Sequence, residues 1–207
     1  MATRNKIPLA VKLAYTFFVA ILVPNYWHAY SPWTFLFFCD VALLLTLPAL
    51  WLESRLLISL PAVGLTLPQL LWVVDFLSGS RITGMTSYMF DPKLSLMVRG
   101  LSTFHGWLPF LLVFGVWRLG YDRRALAGWT AVSTAVLLAS YFLASAPPAP
   151  ADNPNLAVNI NYVHGLSYDK PQTWMPPMVW LTSMIVGFPL VFYVPAHCLF
   201  RSFKVSH

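Results

Sequence analysis

The chain has 207 residues, of which 58% are hydrophobic, 16% aromatic and only 10% charged, with a formal net charge of +6. Soluble domains carry about 25% charged residues, so composition excludes a water-soluble globular protein and leaves a polytopic membrane protein. The basic excess does not require nucleic acid, because the cations sit at the ends of apolar runs, where membrane topology explains them.

In chain order the apolar runs predict an all-α fold of six transmembrane helices, at 8–25, 33–52, 56–77, 95–118, 124–146 and 176–200, forming one integral membrane domain over 1–207. The basic stretch before the first run leads into Pro24, Asn25 and Tyr26 with no small-residue cleavage pattern, so it reads as a signal anchor. Nine basic residues (Arg4, Lys6, Lys12, Arg55, Arg118, Arg123, Arg124, Arg201, Lys204) fall on one side. Four (Arg81, Lys93, Arg99, Lys170) fall on or near the other. The positive-inside rule then makes both termini cytoplasmic, in a multi-pass protein of the cell inner membrane.

On this topology the irregular sequence lies outside. The first outer loop holds Tyr26, Trp27, His28 and Tyr30, aromatics suited to a lipid interface, and the second contains GMTSYMFD, read as a short interfacial helix. The third, 146–177, is the longest, and loops of that length are functional or mobile. The inner loops are short and basic. Pro24, Pro48, Pro61, Pro68, Pro109, Pro189 and Pro195 lie in or at the ends of five of the six helices, so a kinked bundle with freed carbonyls is expected. Cys39 and Cys198 fall in opposite membrane halves, and no disulfide is expected between them.

Two helix faces carry the residues of interest. Cys39 heads a seam of small and polar side chains, Ala42, Thr46, Ala49 and Glu53, which should face the bundle. Asp40 beside it needs a partner or a shallow depth, since an aspartate at a helix centre costs about 2.5–3.5 kcal/mol. His105 shares its face with Arg99, Ser102, Gly106 and Pro109. A thiol becomes a nucleophile when a neighbouring base stabilises its thiolate, so Cys39 and His105 form a candidate dyad, with Asp40 or Asp75 orienting the imidazole. The bland reading stands beside it: buried cysteine packs as a small hydrophobe, and a membrane histidine can bond a kinked backbone. Arg99 and Ser102, with Asn159, Asn161 and His164 of the third loop, are candidate contacts for a lipid headgroup or small polar substrate. Asparagine in loops is also ordinary turn chemistry. No metal-ligand spacing, GxSxG, P-loop, Rossmann or HExxH pattern is present, and no cofactor is expected.

The stretches YSPWTFLFFCDVALLLTLPALWLES, GMTSYMFDP, LSTFHGWLPFLL with WRLGYDRRAL, NINYVHG and WMPP resemble bacterial proteins described only as membrane-associated proteins, over about three-quarters of the chain. More distantly, helix-borne Cys39 followed by helix-borne His105 and an asparagine–aromatic loop is similar to the transmembrane-protein-164-like group of phospholipid acyltransferases, related to the androgen-induced hydrolases of fatty-acid esters. That resemblance implies a membrane-embedded nucleophile paired with histidine, at Cys39 and His105 only; here the cysteine is followed by Asp40, a departure from the pattern.

Two functions follow. One is a lipid acyltransferase or ester hydrolase of the outer leaflet, acting at Cys39 and His105 on a membrane lipid. The other is a non-enzymatic subunit that holds lipid, quinone or pigment in a larger membrane complex or homo-oligomer. Transport is disfavoured because the six helices show no pseudo-repeat.

Overall fold

The structure, a computed structural model, describes residues 6–203, and over them the only regular structure is helical. Arg4 and Lys204, which enter the charge count, lie outside the described residues. The helices are α1 (Leu9–Tyr30), α2 (Phe38–Trp51), α3 (Arg55–Leu77), α4 (Leu96–Ser102), α5 (Phe104–Leu119), α6 (Ala125–Leu143), α7 (Pro177–Phe188) and α8 (Val194–Arg201). Five helical stretches are long and apolar enough to cross a bilayer: α1, α3, α4 with α5, α6, and α7 with α8. The remaining apolar helix, α2, has only 14 residues.

Four expected helices differ from the observed ones, each for a backbone reason. α1 continues five residues beyond the expected end at 25, because Pro24 is tolerated inside it. The Asn25 amide donates to the Ile21 carbonyl at 2.8 Å, supplying a local bond beside the one that proline cannot make. Tyr26 is therefore a buried helix residue and not part of an interfacial loop.

The expected helix 33–52 is split. Ser31, at φ +80°, turns the chain into a short 3₁₀ helix at Pro32–Leu36, and Phe37 is extended before α2 begins. Cys39 is thus the second residue of α2. The expected helix 95–118 is interrupted at Thr103, whose N–H bonds Gly100 and whose carbonyl accepts from Gly106. His105 becomes the second residue of α5. In the last helix a π-helical turn at Pro189–Tyr193 joins α7 to α8. Pro189 and Pro195 cannot donate to the carbonyls four residues earlier, and the widened turn lies between those two lost bonds.

α3 is the axis of the bundle. Its crossing window is 56% buried, against 17% for the α7–α8 stretch, which faces outward. Glycines allow this close approach: Gly64 of α3 lies flat beneath the Trp129 indole, while Ile58 and Leu60 of α3 press on Gly115 of α5 and Gly128 of α6. At the Lys12 end of the molecule Glu53, at φ +47°, closes a clamp. Its carboxylate accepts from Lys12 Nζ at 2.8 Å and from the Lys6 and Ile7 amides at 3.0 and 3.2 Å. On the same side Arg55 Nε donates to the Tyr121 carbonyl at 2.8 Å, and Tyr121 Oη pairs with His197 Nδ1 at 2.7 Å. Cys39 and Cys198 are both free thiols, as expected.

Two outcomes test this packing. Gly64→Ala should lower the unfolding temperature in detergent, since overpacking costs about 1–3 kcal/mol and the new methyl would fall on the Trp129 ring. Gly187→Ala, where a Cβ meets nothing, should leave it unchanged.

Burial by itself would raise the Glu53 pKa, but the bonds from Lys12, Lys6 and Ile7 outweigh it and hold the carboxyl below its ordinary 4.5. A depressed carboxylate stabilises the fold above its unfolded pKa and loses that contribution as pH falls through the folded value. Wild type should accordingly unfold at a higher temperature than Glu53→Gln at pH 7, with the two curves converging once the pH drops below about 4.

Candidate functional site

The helices place three acids in or beside the apolar bundle, and they are treated very differently. Glu53 has the three donors described above. Asp75, in the last turn of α3, is fully buried and accepts from the Ile82, Thr83 and Thr86 amides, Thr86 Oγ1 and Ser80 Oγ, at 2.6–3.4 Å. Asp75 thereby ties the loop 80–86 to the end of α3. It is not bonded to His105, whose imidazole it was expected from the sequence to orient.

Asp40 is the exception. It is 3% exposed, its Oδ1 has no hydrogen-bond partner, and its Oδ2 meets only the Cys39 thiol at 3.9 Å. Its charge reaches Tyr26 and Tyr30 on α1 and Tyr88 in the 3₁₀ turn Ser87–Phe90. Cys39 in turn lies within electrostatic reach of Tyr26, Tyr88, Tyr162 and Tyr168. The Cys39–Asp40 pair is therefore ringed by tyrosines from α1, the second loop and the third loop. The sequence shows these tyrosines only as scattered aromatics, and their convergence depends on the long loops folding back.

His105 is engaged elsewhere. Its Nδ1 bonds the Ser102 carbonyl at 2.8 Å, and its ring stacks on Trp72, with centroids 5.0 Å apart and planes at 21°. Because the carbonyl can only accept, Nδ1 carries the proton and Nε2 keeps its lone pair. No hydrogen bond joins His105 to Cys39. The imidazole sits in a ladder that continues through Trp72 to Phe76 and Phe90 on one side and touches Phe104 on the other. Ser102 lies beside it, buried. Its hydroxyl donates to the Val98 carbonyl at 3.0 Å, so Tyr26 Oη donates to it at 2.6 Å. Arg99 reaches the Met89 carbonyl at 3.4 Å through Nη1, while its Nε is buried with no partner.

Sequence reasoning did not single out Gln69 and Thr66. Three and six residues before Trp72, they continue one face of α3 into the bundle. Both are nearly fully buried, and neither the Gln69 amide nor the Thr66 hydroxyl has a partner. α2 and α3 form an antiparallel hairpin, so residues equally far from the turn share a level. Asp40 lies eleven residues before Trp51 and Thr66 eleven after Arg55, both roughly 16 Å from the turn. The unpartnered atoms of Asp40 and Thr66 therefore lie at one depth, with those of Gln69 about one turn further along α3.

The third-loop candidates are placed differently. Asn159 and Asn161 adopt left-handed conformations, at φ +49° and +55°, and use their amides on the protein itself. Asn159 accepts from the His164 amide and donates to the Gly165 and Ser167 carbonyls at 2.7–2.9 Å. Asn161 Oδ1 accepts from the Phe38 amide at 2.9 Å, and its Nδ2 donates to the Leu36 carbonyl at 2.8 Å and to Ser140 Oγ at 3.3 Å. Asn161 thus bonds the first turn of α2 immediately before Cys39. His164 stacks on Tyr141, and burial holds its imidazole below the ordinary 6.5, with Nε2 unpartnered. Among the described residues no cluster of three His, Cys, Asp or Glu side chains could hold a metal ion.

Comparisons of the chain with protein families, curated proteins and solved structures gave no match.

Asn161→Ala should destabilise the protein measurably, because each buried backbone group left unmet costs about 1–3 kcal/mol. In a Cys198→Ala background it should also speed maleimide labelling of Cys39, since the first turn of α2 loses its cap. Asp75→Asn should spare that labelling and instead expose Arg81 to trypsin, as the loop 80–86 detaches from α3.

Proposed function

We propose that the chain is a multi-pass protein of the inner membrane, with six crossings and both termini cytoplasmic, that carries out acyl transfer or ester hydrolysis on a membrane lipid in the outer leaflet. The nine-to-four distribution of basic residues supports the orientation. A sixth crossing is supported by Pro32–Trp51: about 10 Å of 3₁₀ helix and about 21 Å of α2 together match a hydrocarbon core of about 30 Å.

The observation that carries the chemical reading is Asp40. An intramembrane acid is expensive and is by default functional, and this one lacks the donors that satisfy Asp75 and Glu53. In the proposed reaction Asp40 takes the thiol proton as Cys39 Sγ attacks the ester carbonyl. The S–C bond forms, the C–O bond breaks, and the departing alcohol takes the proton back from Asp40. Water or a second alcohol then attacks the thioester, giving its proton to His105 Nε2, from which the leaving thiolate recovers it. The resemblance to membrane acyltransferases agrees with a cysteine nucleophile and a histidine; it differs in that the thiol here touches Asp40.

A second reading, a non-catalytic subunit holding lipid, quinone or pigment alone or with membrane partners, is favoured by the aromatic ladder, in which His105 serves as a packing ring.

Both readings are tested with a thiol-reactive probe bearing an acyl tail, in the Cys198→Ala background. The enzyme requires that Cys39→Ser abolish labelling and that Asp40→Asn slow it by about 100-fold or more, the lower range of general-base contributions. His105→Ala should leave labelling intact and slow release of the acyl group. Equal labelling of wild type and Asp40→Asn, with His105→Ala merely unstable, would establish the subunit reading instead.

A further inference from the structure

The outward face of α7 carries a groove of about 290 Å³ between that helix and the third loop. Tyr162 and Leu166 of the loop form one wall, and Trp180, Met184, Gly187 and Phe188 line the other. A neighbouring depression along α7 is lined by that helix alone and has no second wall. The walled groove is almost wholly apolar. Ser183 beside it spends its hydroxyl on the Trp180 carbonyl at 2.7 Å, and the Trp180 indole N–H donates to the Tyr162 carbonyl at 2.8 Å. Neither group is left to recognise a polar ligand.

One wall of the groove packs against the residue before Cys39. Phe188 meets Phe38 edge-on, with centroids 5.4 Å apart, and Phe38 directly precedes Cys39. Tyr162, in the opposite wall, is within electrostatic reach of Cys39 and follows Asn161, which caps α2 at Phe38. The groove thus opens on the bilayer along the least buried of the crossing stretches and closes against the residue before the thiol.

We propose that this groove seats one acyl chain of a bilayer lipid and delivers its ester end toward Cys39. An acyl chain fits because the walls are almost wholly apolar and the surrounding solvent at this helix is hydrocarbon. The site of binding stands on the groove; its destination rests on the reading of Cys39 as the reacting residue. Gly187 sets the room available: a Cβ there meets nothing within 4 Å, so the floor accepts a larger side chain without disturbing the fold.

The test uses the full chain in phosphatidylglycerol vesicles containing a phospholipid with a photoreactive group in its tail, with adducts mapped by mass spectrometry. Adducts should concentrate at Met184 and at Val191 and Phe192, which line the groove beyond Phe188. Gly187→Leu, and independently Ser183→Leu, should reduce them by roughly tenfold, the effect of about 1.4 kcal/mol of lost binding. Cys39→Ser should leave the adducts unchanged, so the groove is tested apart from the chemistry. Adducts spread evenly over Phe142, Val179 and Val186 and indifferent to Gly187→Leu would overturn the proposal. So would intermolecular cross-links showing a second copy of the chain seated on Trp180 and Phe188.

Discussion

A carboxylate buried among apolar helices must be met by donors, and where it is met decides how this bundle is held. Asp75 gathers the N–H and hydroxyl groups of the loop 80–86 and fastens one end of α3. Glu53 gathers the start of α1 and fastens the hairpin between α2 and α3. With both ends of the axis fixed, the glycine contacts of α3 with Trp129, Gly115 and Gly128 can be tight. Asp40 is set against that rigid background. A side chain with an unmet oxygen in such a frame marks a place where stability has been given up, and in a membrane protein that is where a ligand or a reaction is sought.

The apolar runs made the helices legible, since hydrocarbon permits little else in a chain of this composition. Their interruptions were not legible to the same degree. Pro24 reads as an end yet lies inside α1, because Asn25 beside it supplies a local bond to the Ile21 carbonyl. The break at Phe37 depends on Asn161, far along the chain, and the turn at Thr103 rests on local bonds to Gly100 and Gly106; hydropathy registers neither. At the site, Cys39, Asp40, His105 and Ser102 were visible as polar residues in apolar helices. The engagement of His105 with its own helix and with Trp72 was not, because stacking leaves no periodic signature. Gln69 and Thr66 passed unnoticed for the opposite reason: uncharged polar residues in a membrane helix raise no alarm until their neighbours are known to lack partners.

The asparagines of the third loop show how one residue type serves two purposes. Asn159 and Asn161 were read as ligands for a headgroup; in the structure they have left-handed backbones and engage their amides on the protein itself. The loop travels from α6 to the start of α2 and returns to α7, and Asn161 bonds the backbone on either side of Phe37.

That bond between Phe38 and Asn161 joins residues 123 positions apart. During synthesis the chain emerges from its N-terminus, and segments settle as they appear. α2 can therefore enter the bilayer early, but its first turn stays uncapped until translation has passed residue 161. The backbone around the thiol is then among the last parts of the molecule to be fixed. A truncated or stalled nascent chain would hold its cysteine in a helix whose first turn lacks the bonds from Asn161.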